Sequence, residues 1–334
     1  MCMDVSVTVP TLFKREKSLR ALLNSLTSQT YKDFKVIIIT PNLTRNSKER
    51  LFALLEESKL DFSICIQNGS GFVNAINTAL DVCREINIST DDDAILDKHV
   101  IEKYVLALMD NKIGLATGFV NYLPPFFNRT LFLYLSSYFL DSKPLTQNLY
   151  GYITFFNRAG IITLKPTVIF QTLKRFRTLT PIGVNMAWRK EAVKGFRIPE
   201  FLKKGILNES YLALVCTERG LEVLSLKEIN VLHPKSKDSL SRSKTWIDDF
   251  TKIFEYYLSP AIVNRIVPID IDQLSTYYKQ ITKISLFNYP MIAKLALQTA
   301  LEITINNYDD KKIDKLFKNT YELIKLMNPS FFNN

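Results

Sequence analysis

Apolar and polar residues follow two different periods along the first hundred residues. Short apolar runs rich in β-branched residues predict four strands, at residues 4–9, 35–40, 61–67 and 86–90. Stretches with apolar residues at helical spacing lie between these runs and predict three helices, at residues 18–28, 48–59 and 73–84. Buried strands that alternate with helices predict an α/β fold with a mostly parallel sheet and helices on both faces.

The pattern changes after this region. Residues 113–180 are aromatic and apolar, then basic, and have little clear periodicity. A helix is predicted at 208–219, followed by two short strands at 221–226 and 229–232. From about residue 240 the chain is predicted to be helical.

These patterns divide the chain into two expected domains, which agrees with a prior of roughly 150 residues per domain for 334 residues. Residues 1–235 form the α/β domain, in which 113–180 is an aromatic and basic insertion. Residues 236–334 form a helical C-terminal region that packs on this domain or mediates assembly.

Composition narrows the class of protein. With 47% hydrophobic and 23% charged residues, the chain is an ordinary folded protein rather than a disordered or fibrous one. Only 10 glycines argue against several glycine-rich phosphate loops, and four scattered cysteines indicate neither a disulfide framework nor a structural zinc site. We see no signal peptide and no clean membrane span, so a cytoplasmic, reducing location is expected.

The net charge of +10 is concentrated in one segment, because residues 158–204 contain eleven Lys and Arg residues and two acids. This segment predicts contact with a polyanion or a membrane surface. The aromatic residues of 113–180 favour a peripheral contact on the cytoplasmic face of a membrane, and a lipid-phosphate acceptor would suit the same surface. The alternative is an internally packed insertion with a solvated basic face. Nucleic-acid binding is a further alternative, although no recognisable nucleic-acid module is present.

Three acids, Asp91 to Asp93, follow directly after the fourth predicted strand. Ligands of parallel sheets bind beyond the carboxyl ends of the strands, where Pro10, Thr11, Thr40 and Asn68 are also expected. Two carboxylates in an Asp-x-Asp pattern can hold a divalent cation that bridges a diphosphate. The alternative is an acidic loop that caps the next helix. A second Asp-x-Asp pattern, at residues 270–272, is interpreted as solvated surface.

Five motifs in order resemble those of family 2 inverting glycosyltransferases, which have the GT-A fold. The sequence VSVTVPTLFKREKSLRALLNSLTSQTYKDFKVIII is similar to the start of that family. The other four motifs are GSGFVNAINTAL, ISTDDDAIL, GVNMAWRKEAVKGF and NESYLALVCTERGLEVLSLKEINVLHP. The resemblance covers residues 4 to 235 and implies a GT-A-like sheet that binds a nucleotide-sugar.

The resemblance also implies roles for residues on the donor side. Asp91, Asp93 and His233 would bind Mn²⁺ or Mg²⁺, although a histidine before a proline is also typical of an ordinary loop. The expected donor-binding residues are Pro10, Thr11, Arg15, Thr40, Asn68, Gly71, Asn77, Asp91 and Asp92. The second strand ends in Thr40-Pro41-Asn42 rather than in the family's acidic pair, so both UDP-linked and GDP-linked sugars remain open.

Glu209 occupies the place of the family's catalytic acid, although Asn208-Glu209 stands where the family has a Glu-Asp pair. A carboxylate there can accept the proton of an acceptor hydroxyl as general base. The alternative is a first-turn helix acid behind an Asn208 cap. Asn185, Trp188 and Arg189 are expected to shape the acceptor site, with Trp188 as a stacking platform. The alternatives are core packing for Trp188 and a surface charge for Arg189.

The sequence therefore predicts a metal-dependent inverting glycosyltransferase. It would move a sugar from a nucleotide-diphosphate donor to a hydroxyl or lipid-phosphate acceptor on a glycan, protein or lipid. Two alternatives remain: a protein that binds nucleic acid or an anionic surface through residues 158–204, and a catalytically inactive GT-A fold that serves as an interaction protein.

Overall fold

The structure is a computed structural model, and it describes residues 3–121, 143–164, 173–234, 246–281 and 290–326. The strands are β1 Val5–Pro10, β2 Phe34–Thr40, β3 Phe62–Ile66, β4 Ile86–Ser89, β5 Ile95–Leu96, β6 Ile113–Asn121, β7 Thr154–Phe156, β8 Ile162–Leu164, β9 Arg175–Arg177, β10 Met186–Arg189 and β11 Glu222–Leu232. The helices are α1 Glu16–Thr27, α2 Arg45–Ser58, α3 Phe72–Val82, α4 Val100–Leu108, α5 Lys190–Val193, α6 Asn208–Glu218, α7 Trp246–Tyr257, α8 Ser259–Ile266, α9 Ile271–Ile281, α10 Pro290–Ile305 and α11 Asp310–Leu326.

A nine-stranded sheet forms the centre of the molecule, in the order β3-β2-β1-β4-β10-β6-β11-β5, with β9 paired to β11. Strands β1 to β4 are parallel to one another where they pair. Strand β10 is antiparallel to both β4 and β6, while β11 runs parallel to β6. The prediction of a mostly parallel α/β sheet flanked by helices is confirmed.

The central strands are buried on both faces. Val7 and Thr8 of β1 each have an exposed fraction of 0%, so this strand shows no solvent-facing side. The polar side chains there satisfy one another, since Ser6 Oγ donates to Asn87 Oδ1 at 2.7 Å and Asn87 Nδ2 donates to Thr8 Oγ1 at 2.9 Å. Burial on both faces explains the continuous apolar run at residues 36–39 of β2. In β1, valines alternate with Ser6 and Thr8, and the buried hydroxyls are satisfied by Asn87.

Each face of the sheet has its own core. On one face, the apolar side chains of β1, β2 and β4 pack against α1, α2 and α4. On the other face, Trp188 of β10 and Ile76 of α3 belong to a cluster that also contains Phe254, Ile262 and Ile303 of the C-terminal helices. The C-terminal helices therefore share one continuous core with the sheet, and a domain division at residue 235 remains a prediction.

In the middle of the chain one prediction is wrong, and one stretch without a predicted element forms a strand. The two strands expected at 221–226 and 229–232 are one strand, β11, whose pairing with β6 shifts register between Ser225 and Asn230. Residues 113–121, which showed little periodicity, form the central strand β6, whose first six residues are buried in succession. A strand without alternation gives no period-2 signal.

The expected membrane-facing surface is only partly described, because residues 122–142 and 165–172 lie outside the described ranges. Of the aromatic residues that are described, Tyr152, Phe155 and Phe156 are at most 2% exposed and belong to the core. This supports the alternative of internal packing for that part of the segment. None of the helices in the described ranges is long and apolar enough to cross a bilayer.

Many cations of the basic segment 158–204 face acids from other parts of the fold. Among the described residues, Arg197 pairs with Asp81 at 2.7 Å, and Lys203 lies 3.6 Å from Asp314. Further pairs join Arg158 to Asp270, Arg177 to Glu222 and Lys204 to Asp248. The excess positive charge of this segment is thus partly neutralised, which weakens the alternative of a nucleic-acid-binding surface.

Candidate active site

The carboxyl ends of β1 and β4 form the floor of the candidate site. These two strands are neighbours in the sheet, so Thr11, which follows β1, lies beside the acids that follow β4. Thr11 Oγ1 donates to Asp92 Oδ2 at 2.6 Å, and it accepts a hydrogen bond from the main-chain N–H of Phe13 at 2.9 Å. Parallel pairing therefore brings together two residues that are 81 positions apart in the chain, as the sequence predicted.

Arg15 joins the acids to one another. Its guanidinium forms ion pairs with Asp92 and with Asp93, and its side chain keeps only 26% of its surface exposed. Asp92 and Asp93 are nearly buried, with side-chain exposures of 7% and 5%. A planar guanidinium that contacts two carboxylates holds both in fixed orientations.

His233 completes the acidic rim, which we define as Asp91, Asp93 and His233. Strand β11 ends at Leu232 beside β5 and places the imidazole over the acids. Nε2 of His233 lies 2.9 Å from Asp93 Oδ1 and 3.6 Å from Asp91 Oδ2. One ligand atom from each of the three residues lies within 4.8 Å of the others, which is a suitable spacing for one metal ion.

The electrostatics of the rim are those of crowded carboxylates balanced by cations. Desolvation by the surrounding protein raises the pKa of Asp91 to about 6, although 41% of its side chain is exposed; His233 opposes this increase and the neighbouring acids add to it. Burial also opposes ionisation of Asp93, but His233 and Arg15 outweigh it and lower the pKa of Asp93. The hydrogen bond to Asp93 in turn raises the pKa of His233. A divalent cation would stabilise this cluster, because its charge would relieve the repulsion between the acids.

Glu209 reaches the same edge of the sheet from helix α6. Its carboxylate lies against the 3₁₀ turn Gly183–Asn185, since a Cβ atom built on Gly183 would meet Glu209 Oε1 at 2.2 Å. That turn leads into β10, whose Met186 pairs with Ser89, two residues before Asp91. A side chain at 183 would displace the Glu209 carboxylate from this position, so Gly183 allows the close approach.

The helix start differs from the one expected. Leu207, with φ of 65°, is the cap residue of α6, and Asn208 is the first helical residue rather than the cap. Asn208 Oδ1 instead accepts the main-chain N–H of Glu209 at 2.8 Å. The bond fixes the first turn of the helix on which Glu209 stands.

The structure corrects two of the three residues expected at the acceptor site. Trp188 is 0% exposed and lies within the core, so its ring offers no face on which a sugar could stack. Arg189 pairs in register with Ile86, the first residue of β4, and therefore lies near the opposite edge of the sheet from the acidic rim. It donates to the carbonyl of Leu108 and to Asn111 Oδ1 there.

Asn185 lies near the rim but is 1% exposed. Its Oδ1 accepts the hydroxyl of Tyr104 at 2.6 Å, and its Nδ2 donates to the carbonyls of Phe119 and Ile229. Asn185 therefore ties the 3₁₀ turn to two strands and a helix. Because this side chain is buried and its amide is hydrogen-bonded within the fold, the structure does not favour a direct contact with an acceptor.

Asn77 also differs from its expected donor-binding role. It is 0% exposed, and its amide makes two hydrogen bonds with the main chain of Ile198, both at 2.9 Å. Its side chain therefore holds the segment before α6 and has no surface for a nucleotide. We call this pair of bonds the Asn77 clamp.

The other expected donor residues lie at the carboxyl edge of the sheet. Pro10 and Thr40 end β1 and β2, Asn68 is exposed after β3, and Gly71 is the exposed cap residue of α3 with φ of 93°. The buried hydroxyl of Thr40, like that of Thr90, has no hydrogen-bond partner among the described residues. Unsatisfied polar atoms at this edge would suit a polar ligand.

Sequence reasoning missed Thr117 and Glu255. Thr117 Oγ1 accepts the N–H of Ile182 and donates to the carbonyl of Asn185, both at 2.9 Å, and so fixes the turn beside Glu209. Glu255 accepts hydrogen bonds from the segment before α6. Neither residue stands in a motif, so no local signal marks them.

Residues 6–164 match the family model described as glycosyl transferase family 2. No curated protein matches the chain in sequence. Among solved structures, the chain is similar to a mannosyltransferase from Pyrobaculum calidifontis in complex with GDP-Man and Mn²⁺, with a TM-score of 0.52 and 14% identity over 98% of this chain and 90% of that one.

Two further solved structures share the fold. S. aureus TarS 1-349 in complex with UDP-GlcNAc has a TM-score of 0.53 and 14% identity, over 97% of this chain and 92% of that one. GalNAc-T7 with UDP, GalNAc and Mn²⁺ has a TM-score of 0.54 and 10% identity, over 95% of this chain but only 55% of that one. At these identities the likeness establishes the fold alone.

Proposed function

The chain contains a glycosyl transferase family 2 domain in residues 6–164 and is a glycosyltransferase, and from this premise we propose a metal-dependent, inverting reaction at the acidic rim. The donor is a nucleotide-diphosphate sugar linked to UDP or GDP. The observation that carries the proposal is that Glu209 lies against the turn Gly183–Asn185, which leads into β10 at the edge of the sheet where the acidic rim follows β4.

The residues present fit a divalent cation. Two carboxylates and one imidazole lie within 4.8 Å of one another, and carboxylates are the preferred ligands of Mg²⁺ and Mn²⁺. Asp91, Asp93 and His233 would hold the ion. When bound, it would offset the negative charge that grows on the departing diphosphate.

In the proposed reaction Glu209 accepts the proton of an acceptor hydroxyl. The hydroxyl oxygen forms a bond to the anomeric carbon of the donor while the bond from that carbon to the diphosphate breaks. Attack from the side opposite the leaving group inverts the configuration of the sugar. Arg15 lies close enough to the rim to contribute positive charge on the donor side.

Binding of UDP and of GDP, measured by calorimetry with and without Mn²⁺, tests the donor side. Asp93→Asn should abolish the dependence of binding on Mn²⁺. Asp272→Asn is the matched control, because Asp272 belongs to the second Asp-x-Asp pattern and lies exposed in the first turn of α9. Equal binding by the two variants would contradict the proposal, as would salt-sensitive binding of random DNA without any nucleotide binding.

The acceptor class is proposed as a hydroxyl or lipid-phosphate on a glycan, protein or lipid. The support is indirect: the basic residues of 173–204 lie on the same chain segment as the turn Gly183–Asn185. Sedimentation with vesicles of anionic lipid, compared with vesicles of neutral lipid, tests whether a membrane is contacted. Equal sedimentation with both would remove the peripheral membrane contact from the proposal.

A further inference from the structure

Glu255 is a buried carboxylate that the proposed reaction does not use. It lies on α7 in the C-terminal region and is 1% exposed. Removing a charged carboxylate from water is costly unless the protein supplies hydrogen bonds to it. The position of this group therefore requires an explanation.

The hydrogen bonds come from a single turn on the other side of the core. Glu255 accepts the main-chain N–H groups of Lys203, of Lys204 at 2.8 Å and of Ile206 at 3.1 Å. Burial raises the pKa of Glu255, and these N–H groups act in the opposite direction because they stabilise the ionised form. We call the segment 203–206, with its bonds to Glu255, the Glu255 turn.

The Glu255 turn leads directly into the helix that carries Glu209. Gly205 and Leu207 both have φ of 65°, and the N–H of Asn208 donates to the carbonyl of Gly205 at 3.2 Å. Left-handed backbone at a leucine is uncommon and persists when surrounding contacts enforce it. Glu209 stands only three residues beyond Ile206, so a shift of the turn displaces its carboxylate.

Other contacts of this segment are either more distant or made by side chains. The Asn77 clamp holds Ile198, five residues before Lys203. The pair of Lys203 with Asp314 is half exposed, and exposed ion pairs contribute little to stability. Lys204 and Asp248 form a more buried pair, with side-chain exposures of 27% and 21%. Both pairs hold the ends of side chains, whereas the three hydrogen bonds to Glu255 hold the main chain itself just before α6.

We propose that Glu255 is a positioning residue for Glu209, through which the C-terminal helices fix the acceptor side of the active site. This inference rests on the proposed function, in which Glu209 is the general base. Misplacement of a reacting group by about 1 Å can cost about 100-fold in rate. Loss of Glu255 should therefore slow the transfer step while the acidic rim, built from other strands, continues to bind the donor.

The test uses the full chain and measures nucleotide release from UDP-N-acetylglucosamine and GDP-mannose with Mn²⁺, with water as acceptor. Calorimetry of UDP and GDP binding and thermal melting accompany it. Glu255→Gln keeps the size of the side chain but places an amide N–H₂ against N–H donors. We expect a fall in kcat of about 10- to 100-fold, with the nucleotide Kd within about twofold of wild type.

Asp314→Asn is the matched control, because it removes a charge that faces the same turn without touching its main-chain bonds. It should release nucleotide within about twofold of wild type. The double variant Glu209→Gln/Glu255→Gln should be no slower than Glu209→Gln alone, because a positioning residue acts through the group it positions.

Three outcomes would overturn the inference. Glu255→Gln could match Asp314→Asn in kcat, could weaken nucleotide binding as much as it slows release, or could add its full loss to that of Glu209→Gln. If Glu255→Gln does not fold, Glu255→Asp decides, since it keeps the charge but reaches less far, and wild-type kcat in that variant overturns the inference. Unchanged release by Glu209→Gln would instead refute the proposed function itself.

Discussion

The acidic rim and the Glu255 turn are the two sides of the candidate active site, and they are held in different ways. The rim follows the ends of neighbouring strands, and its residues contact one another directly. The Glu255 turn is held by a helix that comes 52 residues later in the chain. In the proposed reaction, the donor side thus depends on the edge of the sheet, whereas the acceptor side depends on the packing of the C-terminal helices.

This difference predicts that changes on the two sides separate donor binding from turnover. Changes at the rim should alter the affinity for metal and nucleotide. Changes around α6 should alter turnover and leave that affinity unchanged. The experiments below test this separation.

The largest effect is expected for Glu209→Gln. Loss of a positioned general base lowers rates by about 10²- to 10⁴-fold, so release of nucleotide from the donor sugars should fall by that factor. Binding of UDP or GDP with Mn²⁺ should be unchanged. Glu218→Gln is the control, because Glu218 lies at the far end of the same helix and accepts a hydrogen bond from Thr146. Equal activity of the two variants would contradict the role of Glu209.

Trp188→Ala should have the largest effect on stability. Removing a fully buried aromatic side chain costs about 3–5 kcal/mol, which urea denaturation would measure as a lower free energy of unfolding. Arg189→Ala, one residue along the same strand, should cost much less, since its side chain is partly exposed. If Trp188→Ala instead kept its stability and lost only turnover, the acceptor role predicted from the sequence would be restored.

His233→Gln should weaken binding of Mn²⁺ by about 100-fold or more, because the loss of a direct ligand should cost at least as much as the loss of an outer-shell partner, which costs about 10- to 100-fold. The other histidine of the chain, His99, pairs with Glu102 on the surface, and His99→Gln is the control. Calorimetric titration with Mn²⁺ in the presence of UDP or GDP measures the difference. Equal affinities would place the metal away from His233.

The same pair of variants tests a pH dependence. Protons compete with a metal for the imidazole, and the hydrogen bond to Asp93 raises the pKa of His233 above its ordinary 6.5. As the pH falls, the affinity for Mn²⁺ should therefore decline already above pH 6.5 in the wild type. That part of the decline should be absent in His233→Gln. Parallel pH profiles for the two proteins would contradict this assignment.

The smallest effect is expected for Asn77→Ala. It leaves the main-chain groups of Ile198 without partners, at a cost of about 1–3 kcal/mol in the free energy of unfolding, and donor affinity should not change. Asn68→Ala, at an exposed position on the rim side of the sheet, should alter stability by less than about 0.5 kcal/mol. Weaker nucleotide binding by Asn77→Ala at unchanged stability would return Asn77 to the donor site.

The sequence alone determined the class of fold and the place of the acidic rim. Apolar strands that alternate with helices specify a parallel sheet, and residues such as Asp91 and Thr11 must then meet at its carboxyl edge. This inference needs only local patterns and the rule that parallel strands end at the same edge. The order of motifs likewise placed Glu209 in the first turn of a helix, without its contacts.

Only the tertiary structure decided which polar side chains face the site. Asn77 and Trp188 stand in motifs but are buried, because burial depends on what packs against a residue from elsewhere in the chain. Glu255 shows the converse. In the sequence it is one more acid on an amphipathic helix, and only the structure shows that it accepts hydrogen bonds from a turn 52 residues earlier. Contacts over such separations leave no periodic signal, so the sequence could not reveal that the C-terminal helices hold the turn before Glu209.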